Sequence, residues 1–157
     1  MKTFYIFKIN KNYLSLSKTT PENMFVLFKS INNHKKEDII VAYDLLKEIS
    51  LPINRDFFNE YIYMKLRYNE SYTKYKNVHM YNDYLNGETS KMNVNNSHIK
   101  IKSNKEDNVF VSNLIDIDNL FLCDFNRDYY KYLTNKEKTI SKRKWLWYNW
   151  FEEELIC

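Results

Sequence analysis

Residues 78–102 constrain the fold more than any other part of the chain. Two hairpin-turn dipeptides, Asn86-Gly87 and Asn95-Asn96, punctuate this stretch, and His98-Ile99-Lys100-Ile101-Lys102 alternates with the two-residue period of a strand. A helix repeats every 3.6 residues and cannot keep such a pattern on one face. The stretch is therefore expected to form a meander of three antiparallel strands. A strand over residues 3–9, rich in aromatic and β-branched side chains, is expected inside the same sheet, with others at 119–125 and 129–133.

Helical spacing fills the gaps between these strands. Thr20-Pro21-Glu22 offers an N-cap, a proline at the first helical position and an acid in the first turn, which predicts a helix over 21–32. In a second helix, over 36–50, Ile39, Ala42, Tyr43, Leu46 and Ile49 form a core-facing stripe. Val41 and Leu45 share the opposite face with Asp44 and Glu48, where the two apolar chains either meet solvent or pack under a neighbouring element. Leu51-Pro52-Ile53 interrupts the chain, and Asn54 caps a third helix that runs through Phe57, Phe58, Tyr61 and Ile62 to near Arg67. A short helix is expected over 107–114. The capping-box spacing of Thr134 and Glu137 opens a last helix towards Leu155.

That last segment joins Lys142, Arg143 and Lys144 to Trp145, Trp147, Tyr148, Trp150 and Phe151. Basic and aromatic mixtures of this kind occur at membrane interfaces and on nucleic-acid stacking surfaces. Ile140, Trp147, Trp150, Phe151 and Leu155 nevertheless make a packing stripe, and Glu152-Glu153-Glu154 would repel phosphate or anionic lipid. The expected fold class is therefore α+β, with a largely antiparallel sheet, helices packed against it and a C-terminal aromatic-rich helix. A domain over 1–133 is expected to carry residues 134–157 as a helix docked on itself.

With 44% hydrophobic and 28% charged residues, the 157-residue chain is too apolar for a disordered tail and too charged for a membrane protein. The apolar stretch in Met1–Lys8 is too short and too interrupted by lysine for a signal peptide or a spanning helix. Only Cys123 and Cys157 are present, without metal-site spacing, a pattern suited to a reducing cytoplasm. A net charge of +4 is well below that of a dedicated duplex-DNA binder.

Catalytic signatures are missing. With Gly87 as the single glycine, no glycine-rich phosphate loop can be built, and no serine sits in a G-x-S-x-G setting. His34, His79 and His98 fall in different elements and are read as surface or hairpin residues rather than metal ligands. Asp124-Phe125-Asn126-Arg127-Asp128 imitates the start of a calcium loop, but Tyr129 replaces the turn glycine and Asn135 the bidentate glutamate. An Asx-type turn after a strand accounts for that segment, and Asp116 and Asp118 are read as solvated loop residues. The chain is thus expected not to be an enzyme, with no cofactor, no metal and no small-molecule substrate.

The order of these elements resembles the sporulation inhibitor of replication family, SirA, over most of residues 3–133. The resemblance is carried by Phe4-Tyr5-Ile6-Phe7-Lys8-Ile9, Met24-Phe25-Val26-Leu27-Phe28, Glu48-Ile49-Ser50-Leu51-Pro52-Ile53, Val78-His79-Met80-Tyr81-Asn82, Val94-Asn95-Asn96-Ser97 and Phe121-Leu122-Cys123-Asp124-Phe125-Asn126. It implies a small α/β protein that binds the N-terminal domain of the replication initiator DnaA and prevents assembly at the origin, without a reaction or cofactor. The family's contact positions fall on Tyr13, Ser17, Leu45 and Glu48. Tyr13 keeps the aromatic character, Ser17 stands in place of an aromatic, and Leu45 and Glu48 in place of an amide and an aromatic. A second reading is a single-stranded nucleic-acid binder using Tyr72, Lys74, Tyr75, Lys76 and the terminal tryptophans, although direct nucleic-acid binding is not the expectation for this chain.

Overall fold

The computed structural model describes residues 1–133. The last helix expected over 134–155, with its tryptophan cluster, lies outside them. The chain begins with β1 (Lys2–Ile9), a 3-10 turn (Lys11–Tyr13), α1 (Leu14–Thr19) and α2 (Pro21–Asn32). A second 3-10 turn (Lys36–Asp38) leads into α3 (Ile39–Ile49), β2 (Ser50–Leu51) and α4 (Arg55–Leu66). Strands β3 (Tyr72–Tyr75), β4 (Val78–Asp83), β5 (Glu88–Val94) and β6 (Ile99–Ser103) follow, and then α5 (Val109–Leu114), β7 (Leu120–Asp124) and β8 (Tyr129–Leu133).

Every strand pairing is antiparallel, in the order β3-β4-β5-β6-β1-β7-β8, with the short β2 pairing the end of β1. The chain is an α+β domain, and β1 lies inside its sheet as the sequence predicts. Alternation along β1 assigns it to two cores, because successive side chains point to opposite faces. Phe4 and Ile6 join Met92, Ile99, Ile101 and Leu122 beneath Phe58 and Ile62 of α4 and Phe110 of α5. Phe7 and Ile9 join Phe121 and Cys123 beneath Met24, Phe25 and Phe28 of α2 and Ile49 of α3. Phe28 lies stacked on Phe7 with ring centroids 4.1 Å apart, which fixes α2 over β1.

Several expectations change. The meander has four strands, because β3 precedes the three that alternation reveals and joins β4 through the two-residue turn Lys76-Asn77. Asn95-Asn96 lies in a four-residue connection, closed by Asn95 N–H donating to the His98 carbonyl at 3.0 Å, rather than in a two-residue turn. Thr20 stands at the N-cap of α2 but makes no side-chain cap there; its hydroxyl donates to the Leu16 carbonyl at 3.1 Å. Asn54 caps α4 as expected, its side chain accepting from Phe57 N–H at 3.1 Å. The Asx-type turn is also present: Asp124 Oδ1 accepts from the N–H groups of Asn126 and Arg127 at 3.1 and 3.3 Å.

The α3 stripe is rotated from its expected position. Ala42 and Ile49 are buried and Leu45 and Leu46 pack half-buried against the α2-side core, whereas Ile39 and Tyr43 are exposed. Leu45 therefore does not lie on a free face. The first turn of α3 carries Ile39, Ile40 and Val41 into solvent at 56, 72 and 68% exposure.

Candidate functional site

Backbone geometry at the end of β1 brings two distant segments together. Ile9 and Lys8 pair with Ser50 and Leu51, so the end of β1 meets the residues leaving α3. Asn10 then clamps the junction: its N–H donates to the Ile49 carbonyl at 3.0 Å and its side-chain amide to the Glu48 carbonyl at 3.1 Å. The same side chain accepts from Asn12 N–H at 3.2 Å and starts the 3-10 turn that carries Tyr13. Tyr13 thereby faces the last turn of α3, and its hydroxyl donates to Glu48 Oε1 at 2.6 Å. That hydrogen bond to the carboxylate raises the Tyr13 pKa, since the neutral phenol is the donor.

Of the four positions implied by the SirA resemblance, Tyr13, Leu45 and Glu48 thus meet in space. Tyr13 and Leu45 are half-buried against the same core cluster and Glu48 is exposed beside them. Ser17 is different: it has no exposed surface, and its hydroxyl donates to the Leu14 carbonyl at 2.8 Å. It shapes the turn of α1 and offers no surface to a partner. Val41 lies one helical turn before Leu45 on the same side of α3, and it supplies the open apolar surface that Leu45 does not. Sequence periodicity flagged Val41, but only beside a misplaced Leu45.

Among the three histidines, His79 departs from expectation. His79 is fully buried in the α4-side core, where its Nδ1 lies 2.6 Å from the Tyr72 hydroxyl and its Nε2 2.8 Å from Asn59 Oδ1. Asn59 passes the chain on by donating to Asn77 Oδ1 at 2.8 Å. Burial lowers the His79 pKa to about 4, with neighbouring Lys74 adding to the effect, and burial pushes the Tyr72 hydroxyl up to about 12. A neutral ring accepting from Tyr72 and donating to Asn59 satisfies every partner. The network ties α4 to the β3–β4 hairpin. It also removes Tyr72 from any surface role. His98 is half-buried with its ring 5.5 Å from Tyr5 and 5.8 Å from Phe7, and His34 is exposed beyond α2.

An open groove of about 950 Å³ runs along α4, lined by Asp56, Phe57, Glu60, Tyr61 and Met64, on the opposite side of the sheet from Tyr13 and Glu48. Among the described residues no three of His, Cys, Asp and Glu converge as a metal site, and no helix is long and apolar enough to cross a membrane. The fold and the Tyr13–Glu48 surface define an α+β domain with an exposed apolar patch rimmed by polar groups. No protein-family model and no curated protein matches this chain.

Proposed function

We propose that this chain is a SirA-like, non-catalytic regulator that binds the N-terminal domain of DnaA and inhibits initiation of chromosome replication. The observation supporting this reading is the Tyr13–Glu48 hydrogen bond, which joins two segments 35 residues apart that the resemblance had marked as one contact surface. The mechanism is occlusion. Val41 and the ring of Tyr13 supply an apolar centre backed by the half-buried Leu45, and Asp44 and Glu48 supply a polar rim, the anatomy by which protein surfaces exclude water from a contact. A cytoplasmic setting follows from that partner.

Leu45 is too engaged with the core to be the probe of choice, because an arginine there disturbs packing as well as contact. Val41→Arg adds charge at a position 68% exposed and leaves the core untouched. The full chain and the isolated N-terminal domain of its host's DnaA are expected to co-elute from a sizing column, and Val41→Arg to elute apart from it with an unchanged circular dichroism spectrum. Separate elution of the unaltered proteins would remove the proposal.

A further inference from the structure

Among the described residues, helices cover the two faces of the sheet unequally. On the face bearing Phe7 and Phe121, α1, α2 and α3 pack over β1, β7 and β8. The same face continues across β6, β5, β4 and β3, where Lys102, Lys91, Met80, Thr73 and Tyr75 are all exposed. Strand register sets this surface out in two rows. Tyr5, Lys100, Asn93, Val78 and Tyr75 are successive cross-strand partners, and Thr3, Lys102, Lys91, Met80 and Thr73 form the row beside them.

Neither row contains a carboxylate. The nearest acids on these strands, Asp83 and Glu88, pair with each other, and Glu88 is buried, accepting from Ser90 and from Val109 N–H. Lys91 and Lys102 stand directly opposite each other, an arrangement that costs the sheet stability unless an anion lies between them. Aromatic and thioether side chains accompany the lysines: Tyr75 is 72% exposed and Met80 42% exposed. The ammonium of Lys100 lies 5.7 Å from the Tyr5 ring centroid. Asn93, at the middle of its row, holds the one buried side-chain oxygen among the described residues without a hydrogen-bond partner.

A merely solvated sheet face would mix charges of both signs, whereas this one arrays lysines with the exposed ring of Tyr75. We propose that this face binds single-stranded nucleic acid, with phosphates on Lys91, Lys100 and Lys102 and bases stacked on Tyr75 and Met80. From β1 to β3 the rows extend about 19 Å, enough for a short run of nucleotides. An open sheet displaying aromatic side chains is a known physical solution for splayed bases, whereas a duplex hides its bases from such contacts. The resemblance to SirA makes nucleic acid the second reading, and the register brings Lys91, Lys100 and Lys102 together on one face.

The test is fluorescence anisotropy of the full chain with labelled oligothymidylate and oligouridylate, which separates DNA from RNA as the source of the same chemistry. Neutralising three phosphates predicts roughly a twentyfold loss of affinity between about 50 and 200 mM salt. Lys91→Glu with Lys102→Glu is expected to abolish binding while leaving the circular dichroism spectrum and DnaA co-elution intact, and Tyr75→Ala to weaken binding about tenfold. Full binding by the double charge-reversal variant would overturn the proposal. So would capture by vesicles containing phosphatidylglycerol with no response to either oligonucleotide.

Discussion

At the scale of single residues, His79 illustrates how burial changes what a histidine does. Its folded pKa, about 4, lies below the ordinary value of 6.5, so folding requires the neutral ring. Between those two values the unfolded chain binds more protons than the folded one, and stability falls as pH drops through that window. The full shift corresponds to about 3 kcal/mol, present above pH 6.5 and lost towards pH 4. Denaturant titrations of the native protein and His79→Gln at a series of pH values isolate this contribution, and parallel curves would contradict it. A second residue-scale expectation concerns turns. With one glycine in the chain, left-handed backbone falls to Lys76, Asn119 and Asp128, at φ of 54°, 67° and 52°. Asn and Asp tolerate this region better than lysine. Lys76→Gly is therefore expected to raise stability by about 0.5–1 kcal/mol, partly offset by loss of the Lys76–Tyr75 ring contact, as thermal unfolding would report.

Among the elements, two helix N-termini with similar sequence signals behave differently. Asn54 caps α4 with a real hydrogen bond, while Thr20 turns its hydroxyl back to α1. Asn54→Ala is expected to cost about 1 kcal/mol by denaturant titration. What was legible in the chain follows the same division. Strands β4 to β6 and the helices α2 and α4 could be read because alternation, proline placement and capping are local signals. Strand β3 escaped because Tyr72-Thr73-Lys74-Tyr75 buries only Tyr72, so it shows no apolar alternation. The pairing of β2 escaped because two residues hold no period, and the α1 turn because its burial is limited to Ser17. On α3 the wheel assigned Ile39 and Tyr43 to the core. Apolar content could not reveal that the first turn of α3 carries its side chains into solvent, since this depends on how α3 sits beside α2. Of the candidate site, the proximity of Tyr13 to Glu48 came through the resemblance alone; Asn10, which creates it, gave no signal beyond being a loop asparagine.

At the scale of the described domain, one antiparallel sheet carries the two proposed contact surfaces. The end of β1, clamped to α3 by Asn10, carries Tyr13, Val41 and Glu48, while the part of the sheet that the described helices leave open carries lysines and Tyr75 in register. Because different residues form them, charge reversal at Lys91 and Lys102 and introduction of a charge at Val41 are expected to separate nucleic-acid binding from DnaA binding. The central claim is the DnaA contact, and calorimetric titration of the full chain into the isolated N-terminal domain of its host's DnaA tests it most directly. Saturable heat with the native protein, lost in a folded Val41→Arg variant and kept in the Lys91→Glu, Lys102→Glu variant, is the predicted result. Absence of heat from the native protein, or equal heat from Val41→Arg, would contradict it.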